Sequence, residues 1–124
     1  MSQSDTASPH SSLWHVTLTL SALTEVAENL RDELERLVIA HGVGLSVRYQ
    51  EQTLELRYWD EGSSCQRVTH NTLELWESYQ NDLGLPEWNV VGLEVLSHET
   101  FQRRKSEGGR QAELFSPGVA PLEG

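Results

Sequence analysis

Between Leu13 and Leu96 the apolar residues change spacing in a fixed order: two, three-to-four, two, two, three-to-four, two. A spacing of two places alternate side chains on opposite faces of a strand, and one near 3.6 lines a single face of a helix. The chain therefore reads strand, helix, strand, strand, helix, strand. That order constrains the fold more than any single residue does.

In the first strand, Leu13 to Ser21, Trp14, Val16, Leu18 and Leu20 alternate with His15, Thr17 and Thr19. From Leu23 to His41 the apolar positions Leu23, Val26, Ala27, Leu30, Leu34, Leu37 and Val38 follow a helical stripe. Thr24 or Ser21 is positioned to cap that helix, and Gly42 and Gly44 end it by entering left-handed conformations at low cost. Leu45, Val47 and Tyr49, then Leu54, Leu56 and Tyr58, alternate again on either side of the polar Gln50 to Gln52, which reads as an antiparallel hairpin. Asp60 to Ser64 reads as a loop offering Ser63 or Ser64 as the next cap. Val68, Thr72, Leu75, Trp76, Tyr79 and Leu83 form the second helical stripe, Pro86 ends it, and Trp88 to Leu96 is the last strand.

Two successive strand-helix-strand halves predict an α+β, ferredoxin-like βαββαβ fold: a four-stranded antiparallel sheet in the order 4-1-3-2 with two helices on one face. Residues 13 to 104 form the single domain that 124 residues allow. Residues 1 to 12 and 105 to 124, rich in polar residues, Gly and Pro, are expected to be a disordered N-terminal tail and a flexible C-terminal tail.

Strand parity then divides the sheet. The helix-covered face carries Val16, Leu18, Val47, Leu56 and Val91, and the open face carries His15, Thr17, Thr19, Arg48, Glu55, Arg57, Trp59, Trp88, Val90, Gly92 and Glu94. Two tryptophans on a solvent face make a patch that monomers usually avoid. Trp59 and Trp88 either close the domain at loop junctions or are covered by a partner, and His98 to Arg104, with Phe101, is a candidate for folding back over the face. Apolar residues on both faces of the last strand, an edge strand in this order, point to pairing with a partner. Gly92 marks a bulge or a close backbone approach. His15, Thr17, Arg48, Glu55, Arg57, Trp59, Trp88, Val90 and Gly92 are therefore the candidate interaction surface.

Charge and composition narrow the function. Nineteen acidic residues against nine basic ones give a net charge of -10, which opposes nucleic acid and anionic lipid. The third strand, Thr53 to Trp59, also lacks the Gly and paired aromatics of RNA-recognition motifs. Cys65 is the lone cysteine, so the chain has no internal disulfide, and a reducing cytoplasm fits. No apolar run reaches bilayer length, and residues 1 to 12 lack the apolar core of an export signal.

Motifs for chemistry are scarce. None of His10, His15, His41, His70 and His98 pairs with another at helical metal spacing, and Cys65 with His70 supplies two ligands at most. Gly42-Val43-Gly44 follows a helix and lacks the spacing and lysine of a phosphate loop. No catalytic residue, metal or cofactor is expected.

The segments Trp14-His-Val-Thr-Leu-Thr-Leu20, Arg48-Tyr49, Glu55-Leu-Arg-Tyr-Trp-Asp-Glu61, Leu75-Trp76, Leu85-Pro-Glu-Trp88 and Val91-Gly-Leu-Glu-Val95 resemble those of small, functionally unassigned bacterial, actinobacterial proteins. The resemblance covers roughly residues 13 to 104 and implies a bacterial cytoplasmic protein without transferring any site residue. The expectation is a non-enzymatic, acidic interaction or regulatory domain that self-associates through the open sheet face or the last strand. The alternative is a small-molecule-binding protein or minor enzyme with a pocket on that face.

Overall fold

The structure is a computed structural model that describes residues 12–22, 30–42, 44–83, 88–107 and 117–121. Its elements are β1 (Ser12–Ala22), α1 (Leu30–His41), β2 (Ser46–Gln50), β3 (Thr53–Gly62), α2 (Cys65–Leu83), β4 (Trp88–Ser97), α3 (His98–Ser106) and β5 (Gly118–Pro121). The expected order β4-β1-β3-β2 is present with every neighbouring pair antiparallel. The fold is α+β, but among the described residues the sheet is mixed and five-stranded, with β5 parallel to β2, and the helices number three.

One side of the sheet and the two longer helices enclose the core. Val16, Leu18 and Leu20 of β1, Val47 of β2, and Leu54, Leu56 and Tyr58 of β3 meet Leu30, Leu34 and Leu37 of α1 and Val68 and Trp76 of α2. Cross-strand pairs such as Leu18↔Leu56 and Val16↔Tyr58 hold this register, because a slip of one residue would turn all of these side chains outward.

Local chemistry ends the elements. At α1 the amide of Gly42 donates to the carbonyl of Val38 at 3.2 Å, and Gly42 and Gly44 have φ of 103° and 82°. Ser64 caps α2: its hydroxyl accepts from the Arg67 amide at 3.1 Å. Thr24 lies outside the described residues, and Ser21 is a strand residue of β1. The hairpin between β2 and β3 turns through Glu51 at φ 50°, an unusual conformation for a residue with a side chain.

Three expectations need correction. Asp60 to Gly62 continue β3 instead of opening a loop, and the Trp14 indole fastens the strand end by donating to the Gly62 carbonyl at 3.0 Å. Gly118–Pro121 lie within the segment expected to be a flexible tail, yet they extend the sheet: the Gly118 amide donates to Leu45 O at 2.8 Å and the Arg48 guanidinium to Gly118 O at 2.9 Å. Residues 1–11 lie outside the described residues, and Ser12 already begins β1.

The third correction concerns β4. Its pairing with β1 shifts between Thr19 and Leu20, so that Gly92 faces Thr19 but Val90 faces Leu20, leaving Val91 as the extra residue of a bulge. On the Trp88 side of the bulge, parity is reversed. Trp88 sits opposite Ala22, is 4% exposed and belongs to the core, while Leu93 and Val95 take the helix-side positions opposite Leu18 and Val16. Val91, expected in the core, is 62% exposed.

Candidate functional site

The sheet face opposite α1 and α2 is built of cross-strand rows. One row runs Gly92, Thr19, Glu55, Arg48; the next Glu94, Thr17, Arg57, Ser46; the third Leu96, His15, Trp59. Seven of the nine sequence-predicted residues, namely His15, Thr17, Arg48, Glu55, Arg57, Trp59 and Gly92, thus share one face. Trp88 and Val90 do not, because the bulge gives them the register of the helix side.

This face is not open along its length. Ser97 caps α3 by accepting from the Thr100 amide at 3.1 Å, and the helix turns straight back over β1 and β4. Phe101, 7% exposed, reaches the sheet: its ring lies 4.4 Å from that of His15 and 4.8 Å from that of Trp59, with edge-to-face geometry in the second contact. His15 and Trp59 also meet edge-on at 5.0 Å, and His98 tilts against Trp59 at 5.7 Å. At the other end of the helix, Arg104 pairs with Glu94 at 3.3 Å. Of the two covers expected for the aromatic patch, a partner or the His98 to Arg104 segment, the chain's own segment closes it in part.

Burial sets the electrostatics here. His15 is 1% exposed, and loss of hydration, reinforced by the Arg57 guanidinium against an opposing pull from Glu94, lowers its pKa from 6.5 to about 4. It is a neutral imidazole at neutral pH. Arg57 lies buried with its Nε 3.0 Å from Glu55 Oε1, a pair two residues apart on one strand. The hydroxyls of Thr17 and Ser46 flank Arg57 across the strands, both buried and without a hydrogen-bond partner among the described residues.

The free edge of β4 borders this face. Asn89, Val90 and Val91 are exposed there, with Val90 at 40%. β4 pairs with β1 alone, so its outer backbone groups face away from the sheet.

On the helix side lies a small cleft that strand and helix periodicity gave no reason to expect. It is lined by Leu18, His41, Leu45, Leu56, Tyr58, Thr72, Leu75, Trp76 and Tyr79. His41 Nδ1 and Tyr79 Oη are 2.8 Å apart, as are Tyr58 Oη and Thr72 Oγ1. Burial lowers the pKa of His41 and raises that of Tyr79, and it pushes Tyr58 up to about 12. The partners in these pairs are far apart in sequence, so only helix packing brings them together.

Among the described residues no three His, Cys, Asp or Glu side chains converge to hold a metal ion. Among the same residues no helix is long and apolar enough to cross a membrane. No curated protein and no solved structure matches the chain. A family model does match, over residues 13–112, from β1 through α3: the chain belongs to the family described as Domain of unknown function (DUF8830).

Proposed function

We propose that this chain is a non-enzymatic interaction domain that associates with a second copy of itself through the outer edge of β4. The observation that carries this reading is the exposure of Val90 and Val91 on an edge strand. Edge strands are usually guarded by lysine, proline or inward charge, and Asn89, Val90 and Val91 supply none of these. The regular stretch Gly92–Ser97 next to them, paired in register with Thr19 to Trp14, is long enough to add a strand across a two-fold axis. Because α3 packs over His15 and Trp59, the edge is favoured over the face as the contact surface.

Two copies each bearing -10 repel one another, so association should strengthen as salt screens the charge. Sedimentation equilibrium across the micromolar range tests the proposal with Val91→Lys, which lowers the net repulsion yet buries an ammonium in the contact. A dimer lost in Val91→Lys but retained in Ile39→Lys, on the exposed side of α1, supports the edge. A monomeric parent at all salt concentrations, or a Val91→Lys protein that associates as the parent does, refutes it.

A further inference from the structure

We propose that the β4 strands of two copies run antiparallel about a two-fold axis that passes beside Leu93, so that Leu93 meets Leu93, each Glu94 lies opposite the Gly92 of the second copy, and each Val91 comes beside its Val95. This register rests on the self-association through the β4 edge proposed above and specifies how the two edges meet.

The two ends of the sheet favour a closed pair. Among the described residues the sheet ends in β4 on one side and β5 on the other. Pairing of β4 with the β5 of a second copy would be a head-to-tail contact that repeats without closing. β5 offers only four residues for it, and the last, Pro121, has no amide proton to give. β4 has ten residues and no proline. It is therefore matched best by its like, which closes the assembly at two.

Pleating then restricts the register. Residues directly opposite one another on antiparallel strands point to the same face. From Gly92 to Ser97 the strand alternates regularly, with Leu93 and Val95 on the helix side and Gly92, Glu94 and Leu96 on the second face. A two-fold axis perpendicular to the sheet brings like faces together, so it must fall where one residue faces its own copy.

Side-chain chemistry separates the choices. An axis at Glu94 sets two carboxylates directly against each other, an unfavourable cross-strand pair. An axis at Val95 sets Glu94 against Leu96 and Gly92 against His98, where the chain has already left the strand for α3, and it leaves Val90 and Val91 outside the contact. An axis at Leu93 pairs apolar with apolar: Leu93 and Val95 are half-buried with one flank on the core, and Val91 is 62% exposed. It also sets each Glu94 against a residue that has no side chain. An added Cβ at Gly92 would meet only Thr19 within 4 Å, so there is room beside it, and Glu94 keeps Arg104 as its partner at 3.3 Å.

The test is a cysteine scan of the full chain in a Cys65→Ser background, which removes the exposed native thiol. Leu93→Cys, Glu94→Cys and Val95→Cys are each oxidised with copper phenanthroline at concentrations where sedimentation shows a dimer, and the linked dimer is read on non-reducing gels. With the axis at Leu93, its two Cα atoms stand about 4.5–5.5 Å apart, within disulfide reach, whereas those of Glu94 stand about 8 Å apart and those of Val95 farther. Leu93→Cys should therefore link about tenfold faster than the other two. Mixed Gly92→Cys and Glu94→Cys chains should link to each other faster than either links to itself, which decides the register if Leu93→Cys does not fold. A dimer linked fastest through Glu94→Cys or Val95→Cys keeps the edge contact and overturns this register. A dimer that no variant links overturns the edge contact too, and a parent that stays monomeric at every salt concentration removes both.

Discussion

The ring of Phe101 lies 4.4 Å from that of His15, and this contact fastens α3 to the face of the sheet that α1 and α2 leave uncovered. The helix has nine residues, too few to persist in water by itself. Its order rests on one buried aromatic ring, the Ser97 cap and the Arg104–Glu94 pair.

Phe101→Ala is therefore expected to destabilise the domain by about 3 kcal/mol, near the lower end for a buried phenylalanine because the site borders solvent. Urea denaturation gives the magnitude. Hydrogen exchange gives the location, since protection should fall over His98–Ser106 far more than over β1 and β3.

His15 makes stability depend on pH. Its folded pKa of about 4 lies below the unfolded value of 6.5, so the unfolded chain binds the additional proton between these limits. Stability from this group is complete above about pH 6.5 and is lost as the pH falls towards 4, amounting to about 3 kcal/mol at most. His41, whose pKa is also lowered, acts in the same direction. Replacing His15 by Gln should flatten the stability profile between pH 6.5 and 4 without abolishing its slope. A profile parallel to that of the parent would contradict the assignment.

Two glycines should respond differently to alanine. A Cβ on Gly62 would lie 2.5 Å from Val68 Cγ2, where the start of α2 packs against the end of β3, and valine has little rotamer freedom to yield. Gly62→Ala should cost about 1–3 kcal/mol, and Val68→Ala in the same chain should relieve part of that penalty in a double-mutant cycle. At Gly92 the nearest atom is Thr19 Cβ at 3.4 Å, an ordinary contact, so Gly92→Ala should change the melting midpoint little or raise it. Of the two readings of Gly92, the bulge holds, since the register with β1 shifts beside it, whereas the tight approach is that of the Val68 side chain to Gly62.

Glu51 occupies the left-handed region at φ 50° in the β2–β3 turn. Asparagine tolerates that conformation better, so Glu51→Asn should stabilise the hairpin by about 0.5–1 kcal/mol. Thermal denaturation of the two proteins checks the sign.

The contrast between Trp59 and Trp88 shows how far local pattern reaches. Both are strand aromatics, and alternation alone assigns both to the open face; Trp59 is there, and Trp88 is in the core. The difference is one extra residue, Val91, next to the Gly92 that marks the bulge; the spacing of the apolar residues alone does not say that parity reverses there. The candidate surface was legible for His15, Thr17, Arg48, Glu55 and Arg57 because β1 and the β2–β3 hairpin keep strict alternation and unbroken register. The cleft around Trp76 was not, since its pairs join residues 38 and 14 positions apart through helix packing.

The sequence by itself determined the order of the first six elements, the antiparallel arrangement β4-β1-β3-β2 and the apolar side that the two long helices cover. Periodicity carries that information residue by residue. Only the tertiary structure decided between a partner and the His98 to Arg104 segment as cover of the second face, and only it showed that the four residues of β5 extend the sheet beside β2. Segments this short gain their order from contacts with surfaces already assembled, Phe101 against His15 and Gly118 against Leu45, and such contacts lie outside any local window of sequence.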